Sequence, residues 1–201
     1  MKKILSYLMA VICITVGIST CVYAQETGSI TDKRDGKVYK TVKIGDQWWM
    51  GENLAFKTES GCWVYEDIKD YVKTHGYLYS WEVANKACPD GWHLPSMQDW
   101  WNLSNYLGGD DPAGGKLKET GTNSWKSPNT GATNSSGFTA LSSGRSGDKT
   151  MGYIGYMTFF WTSEDEGDES GICRALYSAK GELSLYGVEK KDGYSVRCIK
   201  D

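Results

Sequence analysis

Positive charge is in short supply in this chain. Its 22 lysines and arginines are outnumbered by 25 aspartates and glutamates, for a net charge of −3. Without a basic stripe to neutralise phosphates, nucleic acid is not an expected partner. Histidine is scarce too, with two residues in 201, and only His93 stands among other chemistry-bearing side chains, in "CPDGWHLPSMQDWWNL" from Cys88 to Leu103. The apolar run from Ile4 to Ile18 is too short, and too soon followed by polar chain, to read as a membrane span. No internal repeat and no linker divides the sequence, so one domain is expected over residues 25–201.

What the chain does have begins with a leader. "MKKILSYLMAVICITVGISTCVYA" combines a basic start, an apolar stretch and small residues at Val22 and Ala24, the pattern of a secretory signal peptide cleaved after Ala24. Lipid attachment at Cys21 is the alternative, disfavoured because Thr20 stands where a smaller residue normally precedes the modified cysteine. The expected location is therefore secreted, periplasmic or cell-surface. Four cysteines lie beyond the leader, Cys62, Cys88, Cys173 and Cys198. In an exported chain an even count favours disulfides over metal, and three connectivities are open.

The 24 glycines and many aromatics suggest short strands and long turns. Asp35-Gly36 and Gly45-Asp46 punctuate strand formers from Val38 to Met50, predicting an N-terminal meander. Lys57 to His75 reads as loop. Trp81, Ala84 and Cys88 at helical spacing, with Ser80 before them and Pro89-Asp90-Gly91 after, predict a short helix. Ser96 with Asp99 three residues on is a capping signal for a second helix, closed by Gly108-Gly109. Trp92, Trp100 and Trp101 are expected in the core, with His93 on a buried strand. Gly108 to Gly137 is a long Gly/Ser/Thr/Asn-rich connection, broken by a short Asp111-Pro112 start and the amphipathic "KLKE", and the remainder alternates apolar and polar residues as an antiparallel sheet does.

Several stretches in order carry a resemblance: "DGKVYKTVKIGDQWWMGENL", "GYLYSWEVANKACPDGWHLPSMQDWWNL", "GFTAL", "FFWTSE" and "GYSVRCIKD". Together they resemble the Fibrobacter succinogenes major paralogous domain, from about Thr31 to Asp201. That family is similar in turn to the C-type lectin-like fold and to formylglycine-generating enzymes, whose Arg-Leu-Pro-Thr motif is echoed by "HLPS" and whose closing Arg-Cys is echoed by "SVRC". The resemblance implies an α+β, C-type lectin-like fold with two short helices flanking twisted antiparallel sheets and long irregular loops. It also implies a Cys88–Cys198 bridge, with Cys62 and Cys173 then expected as a second pair.

No catalytic residue is expected. Cys88 ends a helix, where the dipole does not favour a thiolate. A formylglycine-type oxidase would need paired soft ligands for cuprous ion, and Cys173 has Asp168, not a second thiol, five residues earlier. The Glu-Pro-Asn and Trp-Asn-Asp signatures of calcium-dependent lectins are absent. "SEDEGDES" does supply Glu164, Asp165, Glu166, Asp168 and Glu169, read as a solvated acidic turn or as a patch for a basic partner, with calcium as the alternative. No cofactor and no metal ligand is otherwise expected.

Aromatic residues in Gly-flanked or loop-like segments, Trp63, Tyr65, Tyr71, Trp125, Tyr153 and Tyr156, are candidates for a contact surface. The expectation is a secreted, non-catalytic module that engages an extracellular protein through Trp63, Tyr65, Tyr71, Trp125 and the acidic turn. The alternatives are a calcium-assisted glycan binder, a divergent oxidase and a structural envelope protein.

Overall fold

The computed structural model describes residues 25–65, 68, 70–147 and 151–201. The leader, its cleavage site at Ala24 and Cys21 lie outside the described residues. In chain order the elements are β1 (Thr27–Thr31), β2 (Val38–Ile44), β3 (Gln47–Met50), β4 (Cys62–Trp63), α1 (Tyr71–His75), β5 (Leu78–Tyr79), α2 (Trp81–Ala87), β6 (Trp92–His93), α3 (Met97–Tyr106) and α4 (Asp110–Leu117). There follow β7 (Arg145–Ser146), β8 (Met151–Gly152), β9 (Met157–Asp165), β10 (Ser170–Tyr177), β11 (Ser184–Glu189), β12 (Tyr194–Ser195) and β13 (Ile199–Lys200). The fold is α+β, with strands predominating.

Two main sheets organise it. One runs β1-β2-β3-β13-β6, and the other β11-β10-β9-β12-β5-β4, while β7 and β8 form a small hairpin of their own. The predicted N-terminal meander is the first part of the smaller sheet, with Thr41 opposite Met50 and Gly28 opposite Thr41.

β9 reads "MTFFWTSED", a run without strict alternation, because it is buried on both faces. Phe159 and Trp161 enter one apolar cluster with Tyr39, Met50, Trp81 and Tyr194, while Phe160 points the other way into a second cluster with Trp49, Trp100, Trp125 and Phe138. Arg197 is fully buried and packs its guanidinium 4.2 Å from the Phe138 ring centroid. It donates to Asn53 Oδ1 through Nε (3.1 Å) and Nη2 (2.6 Å), and to the Met50 and Phe138 carbonyls through Nη1. A buried charge needs such saturation to be tolerated.

The two predicted helices are α2 and α3. At α3 the Asp99 amide donates to Ser96 Oγ (3.1 Å) while the Ser96 amide donates to Asp99 Oδ2 (2.8 Å), completing a reciprocal cap. Two further helices appear, α1 where loop was expected and α4 at the Asp111-Pro112 start that interrupts the long connection. α1 is a single turn inside the Lys57–His75 segment, which also holds β4. α4 forms despite Gly114-Gly115, because a side chain at either position would strike backbone: an added Cβ would lie 2.2 Å from the Glu182 carbonyl oxygen or 2.2 Å from that of Gly131. These glycines mark close packing, not a turn.

Two core assignments need correction. Trp100 is fully buried but Trp101 is 58 % exposed. The inward face of α3 is Trp100, Leu103, Ser104 and Leu107, spaced at i, i+3, i+4 and i+7, and Trp101 stands about 100° round from it. Trp92 is only half-buried, packed by part of its surface against the core. His93, expected on a buried strand, is exposed, with Nδ1 2.7 Å from Asp201 Oδ1 and Nε2 3.4 Å from Asp99 Oδ2.

Cys88, capping the end of α2, is bonded to Cys198 just before β13. Cys62 and Cys173 are free thiols, contrary to the expected second bridge. Cys62 lies on β4 and Cys173 on β10, with β9, β12 and β5 between them. At an inter-strand spacing of about 4.8 Å that separation is roughly 19 Å, far beyond disulfide reach. Among the described residues no helix is long and apolar enough to cross a membrane.

Candidate functional site

The expected contact surface separates into buried and accessible parts. Tyr71 and Trp125 are buried and leave it. The Tyr71 hydroxyl donates to the Ser143 carbonyl (2.6 Å), and its ring stacks on His75 at 4.7 Å. The Trp125 indole N–H donates to the Ala140 carbonyl (2.8 Å). Trp125 thereby ties the long connection to the chain after it, and Tyr71 ties α1 to the chain before β7, partners that their loop-like neighbourhoods do not reveal.

Burial holds the Tyr71 phenol well above the usual tyrosine value. The stability this supplies is therefore complete below about pH 10 and is lost as pH rises further, since only the unfolded chain then releases the proton. Relative to Tyr71→Phe, the wild type is expected to lose about 1.4 kcal/mol per pH unit above pH 10. Urea denaturation of both proteins at pH 9, 10 and 11 tests this, and a constant difference would mean that the phenol ionises freely in the folded state.

Trp63 and Tyr65 do come together. Trp63 sits on β4, paired opposite Leu78 of β5. Its ring lies against Gly193, where an added Cβ would be 2.7 Å from Trp63 Cε3, so the absence of a side chain there is what lets the indole lie flat on the turn before β12. Tyr65 is pinned by its hydroxyl, which accepts from the Arg145 amide (3.2 Å) and places its single proton between the Arg145 (3.0 Å) and Gly152 carbonyls on β7 and β8. Tyr153 and Tyr156, on the chain leading into β9, are exposed.

Trp63 is shared by two clefts. The first, about 680 Å³, is walled by Tyr65, Tyr77, Val64, Val72 and Met151, with Lys57 and Cys62 beside them. The second, about 580 Å³, is walled by Ser80, Glu82, Asp168, Glu169, Glu189, Lys190 and Lys191. Both volumes fall within the range of ligand sites. The lysines of the second cleft are engaged: Lys190 Nζ lies 2.7 Å from Asp165 and 4.4 Å from the Trp81 ring centroid, and Lys191 Nζ lies 3.0 Å from Glu189. The wall is acidic in balance.

The five carboxylates of the acidic turn therefore have different duties. Glu164 accepts from the Met97 amide (2.7 Å) at the start of α3. Asp165 is held below the usual carboxylate range by Lys190. Glu166 lies over Gly187. Asp168 and Glu169 line the second cleft with Glu82 from α2 and Glu189 from β11. Sequence reasoning missed Glu82, Glu189, Lys190 and Lys191, since a charged residue on the outer side of a helix or edge strand carries no local signal of a site. Among the described residues there is no group of three or more His, Cys, Asp or Glu side chains placed to hold a metal ion. Burial pushes the Cys173 thiol up to about 12, so it stays protonated at neutral pH.

No curated protein matches the chain, and no solved structure does. The family model described as the Fibrobacter succinogenes major domain matches residues 42–200, and the chain belongs to that family.

Proposed function

We propose that this protein is a secreted, non-catalytic binding module that engages an extracellular protein through the paired clefts around Trp63. The observation that carries the proposal is one half-exposed tryptophan shared by an aromatic cleft and an acidic one. Tryptophan at the centre of an interface, with charge to one side, is the composition of a hot spot. The acidic wall favours a partner with a basic surface and a salt-dependent encounter. The Cys88–Cys198 bridge supports an oxidising, extracytoplasmic location. The bridge between the end of α2 and the last strand also supports a C-type lectin-like architecture, which we propose as the fold type.

The oxidised domain, immobilised and exposed to extracellular fluid from its native habitat, is expected to retain a specific protein in the presence of a chelator. Trp63→Ala should weaken that retention about thirtyfold, the effect of a hot-spot residue. The triple variant Glu82→Gln, Asp168→Asn, Glu169→Gln should slow association at low salt. Retention unchanged in both variants would overturn the proposal, and glycan retention that needs calcium would replace it with a calcium-assisted lectin.

A further inference from the structure

A second site lies on the smaller sheet and shares no residue with the Trp63 clefts. Side chains on that sheet alternate between two faces. Val42, Trp49 and Ile199 enter one core cluster on one face, and Thr41, Trp48 and Lys200 stand on the other, where Tyr39, Met50 and Thr41 are buried and Trp48 and Lys200 reach the surface. Gly28 is paired directly with Thr41 and Lys200 with Trp92, which brings all five to the same face across every strand of the sheet. With Ser29 they line a groove of about 340 Å³.

Three features give this groove a chemistry. Trp48 and Trp92 are both half-exposed, and neither indole N–H has a hydrogen-bond partner among the described residues. Gly28 keeps the space beside Trp48 open, since an added Cβ there would lie 3.6 Å from Trp48 Cζ3 and 3.0 Å from Thr41 Oγ1. Lys200 is the one charged residue in the lining, and Lys43, which stands opposite Trp48, is paired with Glu26 at 3.3 Å.

We propose that this groove binds an oligosaccharide containing an acidic sugar, with sugar rings stacked on Trp48 and Trp92 and a carboxylate held by Lys200. Indole presents a flat apolar face together with a polar N–H, which matches the apolar ring face and hydroxyl rim of a sugar. A purely apolar ligand would desolvate Lys200 and both indole N–H groups without giving them partners, which is unfavourable for each. The ammonium of Lys200 supplies a point charge for an anionic substituent. No calcium is involved, so this is a different chemistry from the calcium-assisted alternative.

Isothermal titration in the presence of a chelator tests the assignment, with tetragalacturonate, an alginate tetrasaccharide and a hyaluronan tetrasaccharide as acidic probes and cellotetraose as the neutral one. At least one acidic probe is expected to bind about tenfold more tightly than cellotetraose. Trp48→Ala and Trp92→Ala should each weaken it about tenfold. Lys200 is exposed, so Lys200→Glu should leave the melting temperature unchanged while removing the preference for the acidic probe. In the wild type, the indole N–H resonances of Trp48 and Trp92 should shift on titration, a readout that does not depend on variants folding. Trp63→Ala should bind the probe as the wild type does, so failure of the protein-binding reading and failure of this one are separable. Absence of binding by all three acidic probes, equal affinity for cellotetraose, or binding indifferent to both tryptophan variants would each overturn the proposal.

Discussion

Reduction of the Cys88–Cys198 bridge is expected to remove about 4–5 kcal/mol from the stability of the domain, because the bond closes a loop of 110 residues and deprives the unfolded chain of that freedom. A domain of this kind has about 5–15 kcal/mol in total, so the reduced protein should stand near the edge of folding. The bond also joins the end of α2 to the strand that pairs with both β3 and β6, so its loss frees the centre of the smaller sheet. Urea denaturation of residues 25–201 with and without reductant, and of the Cys88→Ser/Cys198→Ser variant, measures the effect. Cys62→Ser, which breaks no bridge, is the control and should unfold close to the oxidised wild type. A loss below about 1 kcal/mol on reduction would mean that the unfolded chain stays compact without the bond.

Lys118→Met is expected to cost about 3–5 kcal/mol, since several buried carbonyls lose their donor together. Lys118 follows α4 and is fully buried. Its ammonium donates to the carbonyls of Thr130 (2.9 Å), Tyr177 (2.8 Å) and Lys180 (2.8 Å). Three donors thus meet three acceptors from two distant segments. Methionine matches the length and apolar character of the stem while leaving the carbonyls unsatisfied, so the change isolates the hydrogen bonds from packing. Chemical denaturation with both free thiols and the bridge intact gives the number. A loss below about 1 kcal/mol would mean that water enters and takes over the ammonium's bonds.

How far the sequence reaches depends on the range of the interaction. The Ser96–Asp99 cap was legible because both partners lie within one turn of helix, and the N-terminal meander because its glycine turns sit beside its strands. The burial of Tyr71 and Trp125 was not, because it rests on the carbonyls of Ser143 and Ala140, which local composition does not reveal. α4 was legible only as the Asp111-Pro112 start and the amphipathic stretch after it, because what packs against Gly114 and Gly115 is the chain at Glu182 and Gly131, which lies outside the local sequence. Adjacent tryptophans on one helix face away from each other by about 100°, so "WW" at 100–101 needed a choice that the flanking Leu103 and Leu107 could have supplied. The Cys62–Cys173 expectation failed on strand order, a property of the whole sheet. In the candidate site, Trp63 and the acidic turn were visible as residue types, whereas their meeting with Glu82 and Glu189 depended on α2 and β11 arriving beside them.

The enclosed ammonium of Lys118 has a consequence for chemical labelling. An amine-reactive reagent modifies surface lysines at once, but it reaches this one only when the segments carrying Thr130, Tyr177 and Lys180 part. Its rate of modification in the intact protein therefore counts the openings of that region, and serves as an internal clock for the fold without any engineered probe.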